Sequence, residues 1–213
     1  MGERILNVLE KGGNVILVSV LWLIGCIPVV TAGTSTAAMY YTVVKSIRKE
    51  TGYPAKEFFR AYRMNLRQGI PATLLVAAAV LLMYFNLRYA VWVVRPNDST
   101  IGVILEVVYA AFLILFLAIG TYLFPVLSRL QVKFTELLKI TAWMSARHLL
   151  TTIGMLAVLV VQVVVCYVFL PGLAFIPAAG CLLQSVLLEP KLRKITLSGT
   201  GAASDENQWY NQS

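Results

Sequence analysis

"WLIGCIPVVTAGTSTAAMYYTVVKSIR", Trp22 to Arg48, belongs to a stretch that begins at Asn14 and meets no charge before Lys45. As one α-helix, residues 14–44 would run about 47 Å at 1.5 Å per residue, well beyond the roughly 30 Å of hydrocarbon in a bilayer. Pro28 lacks a backbone donor and its ring clashes with the preceding turn. Gly33 follows among small hydroxyl residues. The pattern Pro28, Thr31, Gly33, Thr34 therefore predicts a helix-break turn, with Thr31 or Thr34 accepting a backbone N–H to cap a second helix from about Ser35 to Lys49. The alternative is one kinked helix in which Ser/Thr hydroxyls re-satisfy the freed carbonyls.

Outward from this stretch, further apolar runs cover residues 70–87, 107–128, 149–170 and 173–188. The chain is 59% hydrophobic and 13% charged, against about 45–50% and about 25% in soluble domains. Five such runs predict an all-α, polytopic membrane protein of five or six transmembrane helices, with amphipathic cytoplasmic helices between spans. The expected organisation is an N-terminal interfacial amphipathic segment (1–13), one integral membrane domain (14–195) and a polar, disordered C-terminal tail (196–213). The first run reads as a retained segment rather than a cleaved leader, because its charges are balanced and its apolar part is too long.

Basic residues mark cytoplasmic loops. They gather at Lys45, Arg48, Lys49, Lys56, Arg60, Arg63 and Arg67, at Arg129, Lys133, Lys139 and Arg147, and at Lys191, Arg193 and Lys194. These three places are assigned to the cytoplasm, with the C-terminus inside and the loop near Asn97 and the turn at Pro171 outside. The net charge of +8 is thereby an orientation signal and no argument for nucleic acid. The hairpin and the single helix place the N-terminus on opposite sides.

"KEFFRAYRMNLRQG", Lys56 to Gly69, sets Phe58, Phe59, Tyr62 and Leu66 near one side at helical spacing and Arg60, Arg63 and Arg67 on another. It reads as a basic helix lying on the membrane surface, apolar side towards lipid, or docking a partner. Within the spans, Arg88 and Glu106 are equidistant from Asn97, so they are expected to meet as an ion pair below the outer loop, either structural or a polar gate. Gln162 and Gln184 are expected to hydrogen-bond between helices. His148, the single histidine, reads as interfacial. Cys26, Cys166 and Cys181 read as buried side chains, since their spacing suits neither disulfide nor metal.

No metalloprotease, nucleophile-elbow, P-loop or Cys-x-x-Cys pattern is present, and no carboxylates pair on one face. The expectation is a non-enzymatic protein without catalytic residues, cofactor or metal, with membrane lipids as partners and a homo-oligomer as one possible state.

Trp22 with "IPVVTAGTSTAAMYY" (Ile27 to Tyr41), "EFFRAYRMNLRQG" (Glu57 to Gly69), "YLFPVLSRL" (Tyr122 to Leu130) and "ARHLLTT" (Ala146 to Thr152) resembles the YesL family of bacterial integral membrane proteins. The likeness runs through all but the C-terminal tail. It implies a small multi-pass protein of the bacterial cytoplasmic membrane, encoded among carbohydrate ABC importers and polysaccharide-degradation genes. The expected function is an accessory or assembly component of a carbohydrate ABC importer; the alternative is a small independent transporter or channel. The family supplies no binding or catalytic residues to carry over.

Overall fold

In the computed structural model, which describes residues 2–97, 99–130 and 132–199, the chain is all-helical, with no strand among the described residues. Helix α1 spans Gly2–Cys26. The backbone of the expected interfacial segment is thus one piece with the helix that follows it. The break falls at Ile27–Pro28, then a single 3-10 turn, Val29–Thr31, leads into α2, Ala32–Thr42. A π-helix, Val43–Arg48, prolongs α2, and the chain reverses through a short loop into α3, Pro54–Tyr89.

Helix α2 packs back along α1. The Trp22 indole donates to Thr36 Oγ1 (3.1 Å), the Ser35 hydroxyl donates to the Trp22 carbonyl (2.9 Å), and at the far end Lys11 meets Glu50 at 2.6 Å. The stretch is a helical hairpin with both open ends on one side. From Gly33 to Ile47 every residue except Thr36 is buried, because α1, α3, α5 (Ser99–Arg129) and α8 (Ile176–Gly199) all pack on α2 and its π extension.

Glycines set the closeness of the α2–α3 crossing. A methyl at Gly33 would overlap the Phe124 ring and the Thr73 hydroxyl, and one at Gly69 would come within 3.0 Å of Thr34 Cα. The hairpin thus runs beside the basic first half of α3, from Lys45 opposite Glu57 to Gly33 opposite Thr73. Beyond Thr73, the chain continues helically to Asn97 for about 36 Å.

This layout corrects the reading of Lys56–Gly69 as a separate surface helix. It is the first half of α3, continuous with the apolar half. Phe58 is 1% exposed and Tyr62 half-buried, so their stripe faces the protein, while Phe59 is exposed. A helical apolar stripe reports that a face is covered but not by what, and here the α1–α2 hairpin covers it.

The remaining elements are a second π segment, Ala90–Val94, a one-turn α4, Arg95–Asn97, then α5, α6 (Phe134–Arg147), α7 (Leu149–Val168), a 3-10 segment Leu170–Ala174, and α8. Among the described residues, three stretches are long and apolar enough to cross a membrane: Pro54–Asn97, Ser99–Arg129 and Leu149–Val168. Their surfaces are apolar and outward-facing, with Leu82, Phe85, Val107, Ile114, Val160 and Val163 all exposed. Helix α8 runs through Gly199, into the first residues of the expected tail; the rest of the tail, 200–213, lies outside the described residues.

Candidate functional site

The open end of the α1–α2 hairpin is where charge, irregular backbone and a cleft coincide. The i→i+5 pattern of a π-helix is rare and recurs at functional sites. At its C-terminus here, the Thr51 N–H donates to the Lys45 carbonyl at 3.1 Å, closing the helix around Glu50. Glu50 sits at φ 56°, a left-handed position that glycine normally takes in such an ending; the following Gly52 is also left-handed, at φ 81°.

Behind this turn, Lys45 Nζ lies 3.0 Å from Glu57 Oε2 with both side chains almost wholly buried. The ammonium also lies 3.5 Å from the Tyr41 hydroxyl and over that ring at 5.6 Å. A second buried pair joins Arg129 of α5 to Glu189 of α8, and Glu189 Oε1 accepts from the Tyr40 hydroxyl at 3.3 Å. Arg48 donates to the Ser185 carbonyl at 3.1 Å. Together these contacts tie α2, its π extension, α3, α5 and α8 at one end of the bundle.

In front of the pairs opens a cleft of about 550 Å³, lined by Glu10, Lys11 and Asn14 of α1, Ser46 and Ile47 of the π-helix, and the Glu50–Pro54 turn. The Lys11 ammonium donates a hydrogen bond to Glu50 and adds its charge, holding the Glu50 carboxyl below the usual carboxylate range. Ser46 is 6% exposed, and its Oγ has no partner among the described residues.

The helix-break residues lie at the opposite end of the hairpin. Pro28 takes an extended conformation (φ −78°, ψ 109°), and Thr31 precedes α2 without a side-chain cap bond. Its hydroxyl instead donates to the carbonyls of Gly25 and Pro28, both at 2.8 Å. The capping role expected of Thr31 or Thr34 falls to Thr73, whose Oγ1 accepts the Gly33 N–H at 3.0 Å. Thr34 lies against Gly69, its own Oγ1 without a partner among the described residues. Arg60 is half-buried, and Arg63 and Arg67 are exposed on the side of α3 away from α2.

The expected pairing of Arg88 with Glu106 is not formed. Glu106 pairs with Arg95 at 3.1 Å, whereas the Arg88 guanidinium stacks 5.1 Å from the Trp92 ring centre. The π segment Ala90–Val94 between them is the cause, because its wider turn re-phases every later side chain. Arg88 is left on the outward side, and Arg95 comes round to Glu106.

Gln162 reaches the carbonyls of Ile176 and Pro177 at 3.3 Å and lies 3.5 Å from Gln184, so both glutamines act between α7 and α8. On the other side of α8, Ser19 accepts the Ala178 N–H at 3.2 Å, capping α8 from α1. His148 forms the joint between α6 and α7.

Sequence reasoning missed the two buried pairs: Lys45 and Arg129 are counted above with the loop charges, and their partners Glu57 and Glu189 are not singled out. A signal was present: Lys45, Arg129 and Glu189 are each the first residue after an apolar run. Arg129 and Glu189, each closing an apolar run, meet as a buried pair.

Among the described residues the molecule is thus all-helical, with three helices suited to crossing a membrane. Residues 15–87, which hold the C-terminal part of α1, the hairpin turn, α2 and most of α3, match the model of a family described as a protein of unknown function, DUF624. No curated protein and no solved structure matches the chain.

Proposed function

We propose that the chain is a multi-pass protein of the bacterial cytoplasmic membrane, of the YesL type that its motifs resemble, and a non-enzymatic accessory or assembly component of a carbohydrate ABC importer. In this reading six helices are membrane-embedded, α1 and α2 as a hairpin entering from the inner side. Both termini then face the cytoplasm, in keeping with the basic residues at Arg48, Lys49 and Lys56.

The observation that carries the accessory role is the filled centre. Helix α2 occupies the axis of the bundle, closed by glycine contacts at one end and by the Lys45–Glu57 and Arg129–Glu189 pairs at the other. A rigid core of this kind suits a subunit that presents surfaces to a partner. The second reading, a small independent transporter, draws on the same pairs, since buried ionisable groups near spans often mark solute paths.

Affinity purification of the full chain in mild detergent separates the two. Copurification of importer subunits is the expected result. Solute flux through liposomes containing the pure protein alone would overturn it.

A further inference from the structure

The tip of the α1–α2 hairpin is apolar and bare. Ile24, Ile27, Val29 and Val30 are all exposed, and no charged residue stands between Lys11 and Lys45. The backbone of the turn is nevertheless bonded from within. The Ile27 N–H donates to the Ile24 carbonyl at 3.2 Å, the Thr31 N–H to the Pro28 carbonyl at 2.9 Å and the Ala32 N–H to the Val29 carbonyl, while Pro28 has no N–H to place. The Thr31 hydroxyl donates to the Gly25 and Pro28 carbonyls, and the Gly33 N–H goes to Thr73. A turn in water has no need of this, because water completes its polar groups; in hydrocarbon each open group is costly. The loop around Asn97 is the contrast, with Arg95, Asn97 and Ser99 exposed.

Depth follows from the neighbours. Gly33 is bonded to Thr73 and lies against Phe124. Thr73 stands near the start of the apolar run 70–87, and Phe124 near the end of the run 107–128. At about 1.5 Å per residue, α3 continues roughly 21 Å from Thr73 to Leu87, and α5 covers roughly 26 Å between Val107 and Phe124. The hydrocarbon is about 30 Å thick, so the hairpin turns back close to its inner edge. At that level on α3, Leu74 and Leu75 are exposed as well. Trp22, bonded to Thr36 below the tip, falls where interfacial aromatic residues sit.

We propose that the α1–α2 hairpin is re-entrant: Ile24, Ile27, Val29 and Val30 take the acyl chains of the inner leaflet as their partner, and the tip never reaches the outer surface. Of the six embedded helices, α3, α5, α7 and α8 cross and α1 and α2 do not. The inference rests on the membrane placement proposed above and refines it, since charge counting alone leaves the depth of the hairpin open.

The test uses the full chain with Cys26, Cys166 and Cys181 replaced by alanine, and it needs no importer. A single cysteine replaces Val29 or, in a second variant, Ile27, both exposed; cysteines at positions 51 and 97 report the placement itself. In right-side-out vesicles an impermeant maleimide should label position 97 and leave positions 27, 29 and 51 unlabelled. With bimane attached and the chain in liposomes, positions 27 and 29 should be quenched by lipids carrying a nitroxide on the acyl chain and hardly by aqueous iodide. Labelling of position 27 or 29 from outside, with 51 and 97 as expected, would mean a hairpin that crosses and would overturn this inference alone. Quenching by iodide in place of the nitroxide would put the tip in water, and quenching by neither would put it against protein; each result overturns the proposal. Labelling of 51 and 97 from one side would remove the placement and the re-entrant hairpin together.

Discussion

Lys45 Nζ stands 3.0 Å from Glu57 Oε2, on facing helices and almost entirely out of solvent. Removing one member of such a pair strands the other as an uncompensated buried charge, which costs about 3–5 kcal/mol. Lys45→Met and Glu57→Gln should each destabilise the chain on that scale. The double variant Lys45→Met/Glu57→Met should lose much less than the sum of the single losses. A double-mutant cycle on denaturant unfolding in detergent measures this, and additive losses would show that the two groups do not act as a pair.

The hairpin's packing makes a second, graded prediction. Alanine at Gly33 or Gly69 meets Phe124, Thr73 or Thr34, and overpacking of this kind costs about 1–3 kcal/mol. Gly12, within α1, has open space around it. Gly12→Ala should be neutral or stabilise by up to about 1 kcal/mol through helix propensity. Unfolding midpoints of the three variants should therefore split in opposite directions.

In the N-terminal part of α5, Glu106 should couple to Arg95 and not to Arg88. The Arg95–Glu106 pair is half-exposed, so its coupling should fall near 0.2–1 kcal/mol and fade as salt is raised. Glu106→Gln should accordingly weaken folding only slightly. A cycle between Arg88 and Glu106 should give no coupling, and a value equal to that for Arg95 would contradict the re-phasing by the Ala90–Val94 segment.

Because Lys11 and Glu50 touch, the start of α1 and the loop before α3 lie on one side of the membrane in the proposed placement. In a chain with Cys26, Cys166 and Cys181 replaced by alanine, single cysteines at positions 13 and 51 should be labelled by an impermeant reagent from the same side. A cysteine at position 97 should be labelled from the other side. Opposite labelling of positions 13 and 51 would remove the hairpin from the membrane placement.

Glu50 carries a pH prediction. Its carboxyl is held below the usual range by the hydrogen bond from Lys11 and that residue's charge. A depressed folded-state value means that the pair contributes its stability above the ordinary carboxylate value, and that this is lost as pH falls through the lower folded value. Carbon NMR of the labelled Glu50 carboxyl should show protonation only below the ordinary range. Lys11→Met should return it upward.

Much of this architecture was legible where one physical rule dominated. Pro28 and Gly33 mark the hairpin turn because a missing donor and a missing Cβ act locally, whatever surrounds them. Phe58 was misread for the opposite reason: its helical period defines a face, and the period is the same whether lipid or the α1–α2 hairpin covers that face. Arg88 was misplaced because counting at ordinary α-helical spacing has no term for the π segment that follows it. The cleft was invisible, since Glu10, Ser46 and Glu50 come together only through the antiparallel return of α2 along α1.

That return also bears on how the protein is made. Helix α2 and its π extension carry Gly33, Thr34, Ser35, Thr36, Thr42, Lys45, Ser46 and Arg48, a sequence that enters a bilayer poorly by itself. During synthesis it follows α1, whose Trp22 and Trp22 carbonyl take up Thr36 and Ser35, so in the proposed placement the two would leave the translocon as one unit. The acceptor for the Gly33 N–H and the partner of Lys45 arrive later, with Thr73 and Glu57. Until α3 is threaded, α2 is a half-finished interior, and the nascent chain depends on α1 to shelter it.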